Sequence, residues 1–308
     1  IQRESLVETS GASVAATSGR KKQSVADHNV STLNRLYDAY IFDLDGTIYL
    51  GDGLLPGAKR LISELRNRHI PVRFISNNPT KDPVQYAEKL TKLGLPTQVD
   101  EVVNSVVATT RWLLENYPTA VVFPIGEAPL IRALENAHIR TSSQADEIDI
   151  VIASYDRTFT YEKLQIAFDA IWFHKRARLI ATNPDRYCPM VGGRGEPDAA
   201  SIIAAIEACT STKCEVVVGK PSSIMLHMTL EGLHVDVKNC AMVGDRLATD
   251  IQMARNTGLV SVLVLTGETK VEDLKRLSAQ EQPGFVLERI DQVLPSDIWE
   301  ELGWSKES

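Results

Sequence analysis

The sequence predicts an α/β protein: a Rossmann-like parallel sheet wound with helices and interrupted by a second, smaller α/β unit. Two observations carry this reading. From Tyr37 onward, short runs rich in Val and Ile alternate with amphipathic stretches, and the runs lack a polar face, as strands buried on both sides do. A second alternating block, residues 118–211, falls between runs that read as strands of one sheet, so it is an insertion.

Taken in order, residues 1–35 read as a leader. They are small and polar, and no aromatic residue precedes Tyr37. Such a stretch cannot bury enough surface to offset its ordering entropy, so disorder is expected. The basic cluster Arg20-Lys21-Lys22 fits a targeting peptide, but Glu4, Glu8 and the lack of an apolar signal core weigh against one. The first sheet is assigned the runs 39–42, 72–75, 216–218, 241–243 and 260–265. Residues 56–68 predict a helix, with Pro at the start and Leu61, Ile62 and Leu65 on one stripe. Residues 84–93 repeat apolar positions at 84, 87, 90 and 93 and stop at Gly94. Residues 249–257 put Ile251 and Ala254 on one face before Gly258. Strands of one parallel sheet joined through helices require right-handed crossovers. Within the insertion, 121–123, 150–153 and 179–181 read as strands, and 129–137 and 161–173 as helices. The division is therefore 36–117 and 212–308 for the main unit and 118–211 for the insertion.

Composition narrows the function classes. A chain of 308 residues, 44% hydrophobic and 24% charged, can bury large cores without disulfides or structural metal. Its 33 Lys+Arg against 40 Asp+Glu leave a net charge of −7, which argues against a nucleic-acid binder. No apolar run approaches the roughly 18 residues of a membrane span, so no membrane partner is expected. Four cysteines, Cys188, Cys209, Cys214 and Cys240, form no CxxC pair, which fits reduced thiols and a cytoplasmic location.

The chemistry sits where the apolar runs end. Run 39–42 leads into Asp43-Leu44-Asp45-Gly46-Thr47, and 72–75 into Ser76-Asn77-Asn78. Run 216–218 leads into Gly219-Lys220-Pro221, and 241–243 into Gly244-Asp245-Arg246 with Asp250 beyond. In open parallel sheets, ligands bind at the carboxyl ends of the strands. Taken singly, each segment fits a turn, a loop or a helix cap. Together they bring Asp43, Asp45, Asp245 and Asp250 to one edge, where one lysine cannot balance four carboxylates. Oxygen donors without His or Cys suit Mg²⁺. A cation, a lysine and a serine hydroxyl are the clamps that phosphoryl transfer needs. Gly192-Gly193-Arg194-Gly195 is no dinucleotide fingerprint, since no strand–turn–helix surrounds it.

These motifs resemble the haloacid dehalogenase (HAD) superfamily of phosphatases, in its NagD-like, p-nitrophenylphosphatase or phosphoglycolate phosphatase-like branch. The matches are Phe42-Asp-Leu-Asp-Gly-Thr47, Ile75-Ser-Asn-Asn-Pro-Thr80, Val218-Gly-Lys-Pro-Ser222 and Val243-Gly-Asp-Arg-Leu-Ala-Thr-Asp-Ile251, with Ala181-Thr-Asn-Pro-Asp185 and Leu265-Thr-Gly-Glu268 adding to them. The resemblance implies an Asp43 nucleophile that becomes an aspartyl phosphate, an Asp45 acid and base, and Lys220 stabilising the charge. It implies Mg²⁺ on Asp43, the Asp45 carbonyl and Asp245, with Asp250 behind them. Ser76, Asn77 and Asn78 would hold phosphoryl oxygens. The insertion would be a cap whose loop, Asp185, Arg186, Tyr187 and Cys188, meets the leaving group, and relatives of this kind often form homodimers through the cap. One segment departs from the pattern: Glu196-Pro197-Asp198-Ala199-Ala200-Ser201 stands where the family commonly carries a Gly-rich stretch. The implied activity is Mg²⁺-dependent hydrolysis of a small phosphorylated metabolite such as a sugar phosphate, glycerol phosphate or phosphoglycolate. The alternatives are a phosphotransferase or mutase with the same intermediate, and a catalytically weak regulatory or binding member.

Overall fold

The computed structural model describes residues 33–305; the leader expectation falls outside these residues, except at its end, where Leu33 is already packed in the core. Among the described residues the first elements are β1 (Ala39–Asp43), a small hairpin of β2 (Tyr49–Leu50) and β3 (Gly53–Leu54), α1 (Ala58–Asn67), β4 (Val72–Ser76), α2 (Pro83–Lys92), β5 (Val102–Asn104) and α3 (Ser105–Asn116). Next come β6 (Val122–Ile125), α4 (Ala128–Asn136), β7 (Ile150–Ala153), α5 (Tyr161–Phe168), β8 (Arg178–Ala181), the hairpin β9 (Tyr187–Pro189) and β10 (Gly195–Pro197), α6 (Ala199–Thr210) and β11 (Val216–Val217). The remainder is α7 (Ser223–Leu230), β12 (Cys240–Gly244), α8 (Gln252–Thr257), β13 (Val260–Val264), α9 (Val271–Leu274), β14 (Phe285–Leu287) and α10 (Ser296–Glu301).

Six strands form one sheet in the order β14-β13-β12-β1-β4-β5, and every pairing is parallel. Alternate residues of each strand feed opposite faces, as a period of two requires. Tyr40, Phe42 and Phe74 pack against α1, α2 and the C-terminal segment, while Ile41, Ile75 and Met242 pack against α7 and α8. The second sheet, β11-β8-β7-β6, is also parallel and also covered on both faces. Phe123, Val151 and Leu179 meet α5 and α6; Val122, Ile150 and Ile180 meet α4 and α3.

Two placements differ from the sequence reading. The sequence puts the run 216–218 in the first sheet, but Val216 pairs with Ile180 and Val217 with Ala181 at the edge of the second. The chain therefore leaves the second sheet after Val217 rather than at residue 211. Likewise α3 lies before residue 118, yet Val106 and Leu113 belong to the second sheet's core. Both segments are half-and-half, facing one unit and continuing the other, and local periodicity does not report which neighbour an apolar face meets. The short strands β5 and β14 and the two hairpins carry too few residues to show a period.

Candidate active site

Buried strands deliver charged ends to one place. All five residues of β1 are buried, so its last residue, Asp43, reaches the sheet edge with little exposure. The chain then turns through Gly46 at φ +84°, where a Cβ would sit 2.6 Å from Asp245 Oδ2. Only glycine fits that close approach. The turn presents Asp45, whose Oδ2 accepts a hydrogen bond from the buried Tyr49 Oη at 3.2 Å. At the end of β4, the Asn78 amide donates to Ser76 Oγ at 3.2 Å, and Tyr86 Oη donates to the Asn78 carbonyl at 3.1 Å. Asp245 comes directly after β12, and its Oδ2 accepts from the Glu268 amide at 2.6 Å.

Lys220 is 2% exposed and its Nζ donates to Asp43 Oδ1 and, at 2.7 Å, to Asp250 Oδ1. Carboxylate oxygens of Asp43, Asp245 and Asp250 all lie within 4.8 Å of one another. Burial, and then the Asp250 and Asp245 charges, push the Asp43 carboxyl well above the usual range, although Lys220 opposes them. Burial and Asp250 raise Asp245 to about 6. Burial lowers the Lys220 pKa, but Asp250 and Asp43 outweigh it and raise it above the ordinary lysine value. Three buried carboxylates against one ammonium leave an excess of negative charge that a divalent cation would balance. Asp245 Oδ1 is buried and has no hydrogen-bond partner, and the donors are all oxygen. This set fits a hard cation.

Asp43, Asp45, Ser76, Asn77, Asn78 and Lys220 from the first unit, and Asp185, Tyr187 and Cys188 from the second, line one cavity of about 70 Å³. Asp245 and Asp250 are not part of its lining. Arg186 is not brought in: it is exposed and does not line the cavity. The arginine that lines the cavity is Arg246, whose Nε sits 3.2 Å from Glu268 and whose Nη1 sits 3.9 Å from Asp185.

A haloacid dehalogenase-like hydrolase profile matches residues 40–140, and a HAD-hydrolase-like profile matches 217–293. The chain is 37% identical over 239 residues to an acid sugar phosphatase of Staphylococcus epidermidis, covering 78% of this chain and 90% of the relative. It is 34% identical over 253 residues to the sugar-phosphatase AraL of Bacillus subtilis, covering 82% and 90% of the two chains. The 4-nitrophenylphosphatase of Thermotoga maritima superposes with a TM-score of 0.78 at 36% identity, covering 83% of this chain and 96% of that one. The chain belongs to the haloacid dehalogenase-like hydrolases. Within that family it is a NagD-like phosphatase.

Four further residues line this phosphatase's cavity: Arg246, Thr249, Pro189 and Asp198. Arg246 was within reach of the sequence, directly after Asp245. Thr249 carries a buried hydroxyl with no partner. Asp198 resolves the departure at 196–201: its side chain caps α6 by accepting from the Ala199 amide and from Asn183 Nδ2 at 3.0 Å. The helix that a Gly-rich stretch would begin is begun here by an Asp cap. Burial raises Asp198 to about 6, and the Asn183 and Ala199 bonds only partly offset it.

Proposed function

We propose that this phosphatase hydrolyses small sugar-phosphate-type monoesters through an aspartyl phosphate on Asp43, with Mg²⁺ as cofactor. The observation that carries this is the buried Asp43–Lys220–Asp250 cluster, with Asp43 and Lys220 lining the same cavity as Ser76, beside the unpartnered Asp245 Oδ1. The names of the acid sugar phosphatase and AraL support the substrate class. Asp43, the Asp45 carbonyl and Asp245 would hold the cation, which supplies positive charge for the transferring phosphoryl group. Asp250 has both oxygens engaged, by Lys220 Nζ and by the Arg246 amide at 3.1 Å, so it stands behind that shell.

In the first step an Asp43 oxygen bonds to phosphorus as the ester oxygen leaves and takes a proton from Asp45. In the second, Asp45 takes a proton from water, whose oxygen displaces Asp43 and yields inorganic phosphate. Lys220 favours the ionised form of Asp43 against the effect of burial, and Ser76 with the Asn77 amide holds phosphoryl oxygens. The second sheet and its hairpin act as the cap. A cavity of about 70 Å³ is well below the ~300–1,000 Å³ of sites for larger ligands, which supports a small phosphate ester as substrate. Among the described residues, no helix is long and apolar enough to cross a membrane. Four free cysteines support a cytoplasmic location, and exposed Tyr161, Trp172 and Phe173 support a homodimer through the cap. Sedimentation as a monomer would remove the dimer from this reading.

The deciding test is phosphate release from p-nitrophenyl phosphate and a panel of sugar phosphates, with and without Mg²⁺. The expected result is Mg²⁺-dependent release. Transfer to an added alcohol without release would mark a phosphotransferase, and no turnover of any ester with Mg²⁺ would overturn the proposal.

A further inference from the structure

The lysine at the centre of the site is carried on the cap's edge strand. After β11 the backbone keeps pairing with β8 and its extension: the Val218 amide donates to the Ala181 carbonyl at 3.0 Å, and the Gly219 amide to the Thr182 carbonyl at 2.8 Å. Lys220 is the next residue. The side chains change units over the same few positions, since Val217 packs with the cap core and Val218 with the main core. Any displacement of the cap therefore pulls on the segment that positions Lys220.

The Asn77 side chain ties the Lys220 backbone to the main unit. Asn77, buried at the end of β4, accepts from the Lys220 amide through Oδ1 at 2.8 Å and donates to the Lys220 carbonyl through Nδ2 at 3.0 Å. It grips both polar groups of one residue's backbone, 143 positions away in sequence. Gly219 makes the grip possible: a Cβ there would lie 2.6 Å from Asn77 Oδ1 and 2.6 Å from the Thr182 carbonyl. Asn77 is itself fixed, because Ser105 Oγ donates to its carbonyl at 2.6 Å. Its Nδ2 also lies 3.4 Å from Asp185 Oδ1 on the cap loop.

We propose that the Asn77 side chain is a positioning residue that anchors the Lys220 backbone against the pull of the cap strand, so that the ammonium stays on Asp43. This role rests on Lys220 acting at the phosphoryl site and adds to the use of the Asn77 main chain. The lysine is buried and its Nζ reaches two carboxylates at once, so a shift of its backbone strains both contacts. An uncompensated buried carboxylate would then repel the charge that builds on the phosphoryl group during transfer, a cost felt in kcat more than in KM.

The test is a double-mutant cycle on the full chain with p-nitrophenyl phosphate. Asn77→Ala should lower kcat about thirtyfold, about 2 kcal/mol at 1.4 kcal/mol per decade, with a much smaller change in KM. In a Lys220→Ala background the same change should have less than about a threefold further effect, because the group it positions is gone. Additive losses would overturn the proposal, as would a lower melting temperature with kcat of the folded protein unchanged. If Asn77→Ala does not fold, the cycle is run with Asn77→Asp, which keeps the acceptor for the Lys220 amide and turns the donor into a second acceptor. Wild-type kcat in Lys220→Ala alone is a separate outcome: it overturns the lysine's role in the reaction.

Discussion

The six-stranded and four-stranded sheets are built alike, with parallel strands and helices on both faces, but their strand ends differ. In the first, β1, β4 and β12 run out into Asp43, Ser76 and, one residue on, Asp245. In the second, β6, β7 and β8 run out into Gly126, Ser154 and Thr182, which carry no charge, and β11 alone, at the edge, leads on to a charged residue, Lys220. Ser154 and Thr182 satisfy each other, with their hydroxyls 2.8 Å apart. The carboxyl end of a parallel sheet is thus a place where a site can be built, and the residues placed there decide whether one is. The cap contributes instead through the Asp185 loop after β8 and the β9–β10 hairpin beyond it.

The largest expected effect separates the two units most sharply. Asp43→Asn should lower kcat on p-nitrophenyl phosphate by at least about 10³-fold, whereas no single cap substitution should approach that. Retention of more than a few per cent of turnover in the folded variant would remove the nucleophile from Asp43. A second contrast sets two arginines against each other. Arg246→Gln, at the seam between the units, should lower kcat/KM by about tenfold, and Arg186→Ala, on the cap surface, should change it by less than about twofold. The reverse order would return substrate recognition to the exposed arginine. Within the cap, Tyr187→Ala should change the ranking of sugar phosphates by about tenfold in kcat/KM while leaving p-nitrophenyl phosphate nearly unchanged. Equal losses on every ester would mean that Tyr187 supports the hairpin by packing on Gly195.

The smallest effect concerns stability. The Asp198 carboxyl sits at about 6 in the native protein, above its ordinary value of about 4. Between those values the native state binds more protons than the unfolded chain, so stability falls as pH rises from about 4 to about 6. Asp198→Asn keeps an acceptor for the helix cap and removes the titration. The melting temperatures of variant and wild type should agree near pH 4, and the variant should be higher by several degrees at pH 7. Parallel curves at both pH values would show that burial of Asp198 costs nothing in the fold.

Most strands of both sheets were legible in the sequence, because a buried parallel strand shows as an uninterrupted apolar run. Runs 39–42, 72–75, 150–153 and 241–243 correspond to β1, β4, β7 and β12 within a residue at each end. The residues around the cavity were legible for a related reason: they come directly after those runs, so strand position and site position are one signal. That held for Asp43, Ser76 and Asp245. It failed for Arg186, since a residue in an irregular loop is oriented by contacts the local sequence does not contain. Here the loop is held by Asn183, Asn77 and Arg246 on Asp185, and it leaves Arg186 exposed.

What the sequence determined by itself was the α/β class, the position of most strands along the chain and the identity of the charged groups that follow them. Each of these depends on spacing over a few residues. The tertiary structure alone decided which sheet owns Val216 and Val217. Two half-buried residues carry too little apolar surface to choose a partner by themselves, and the choice went to the open edge of β8. That non-local pairing puts Lys220 at the joint between the units, with Asn77 holding it to one and β11 to the other.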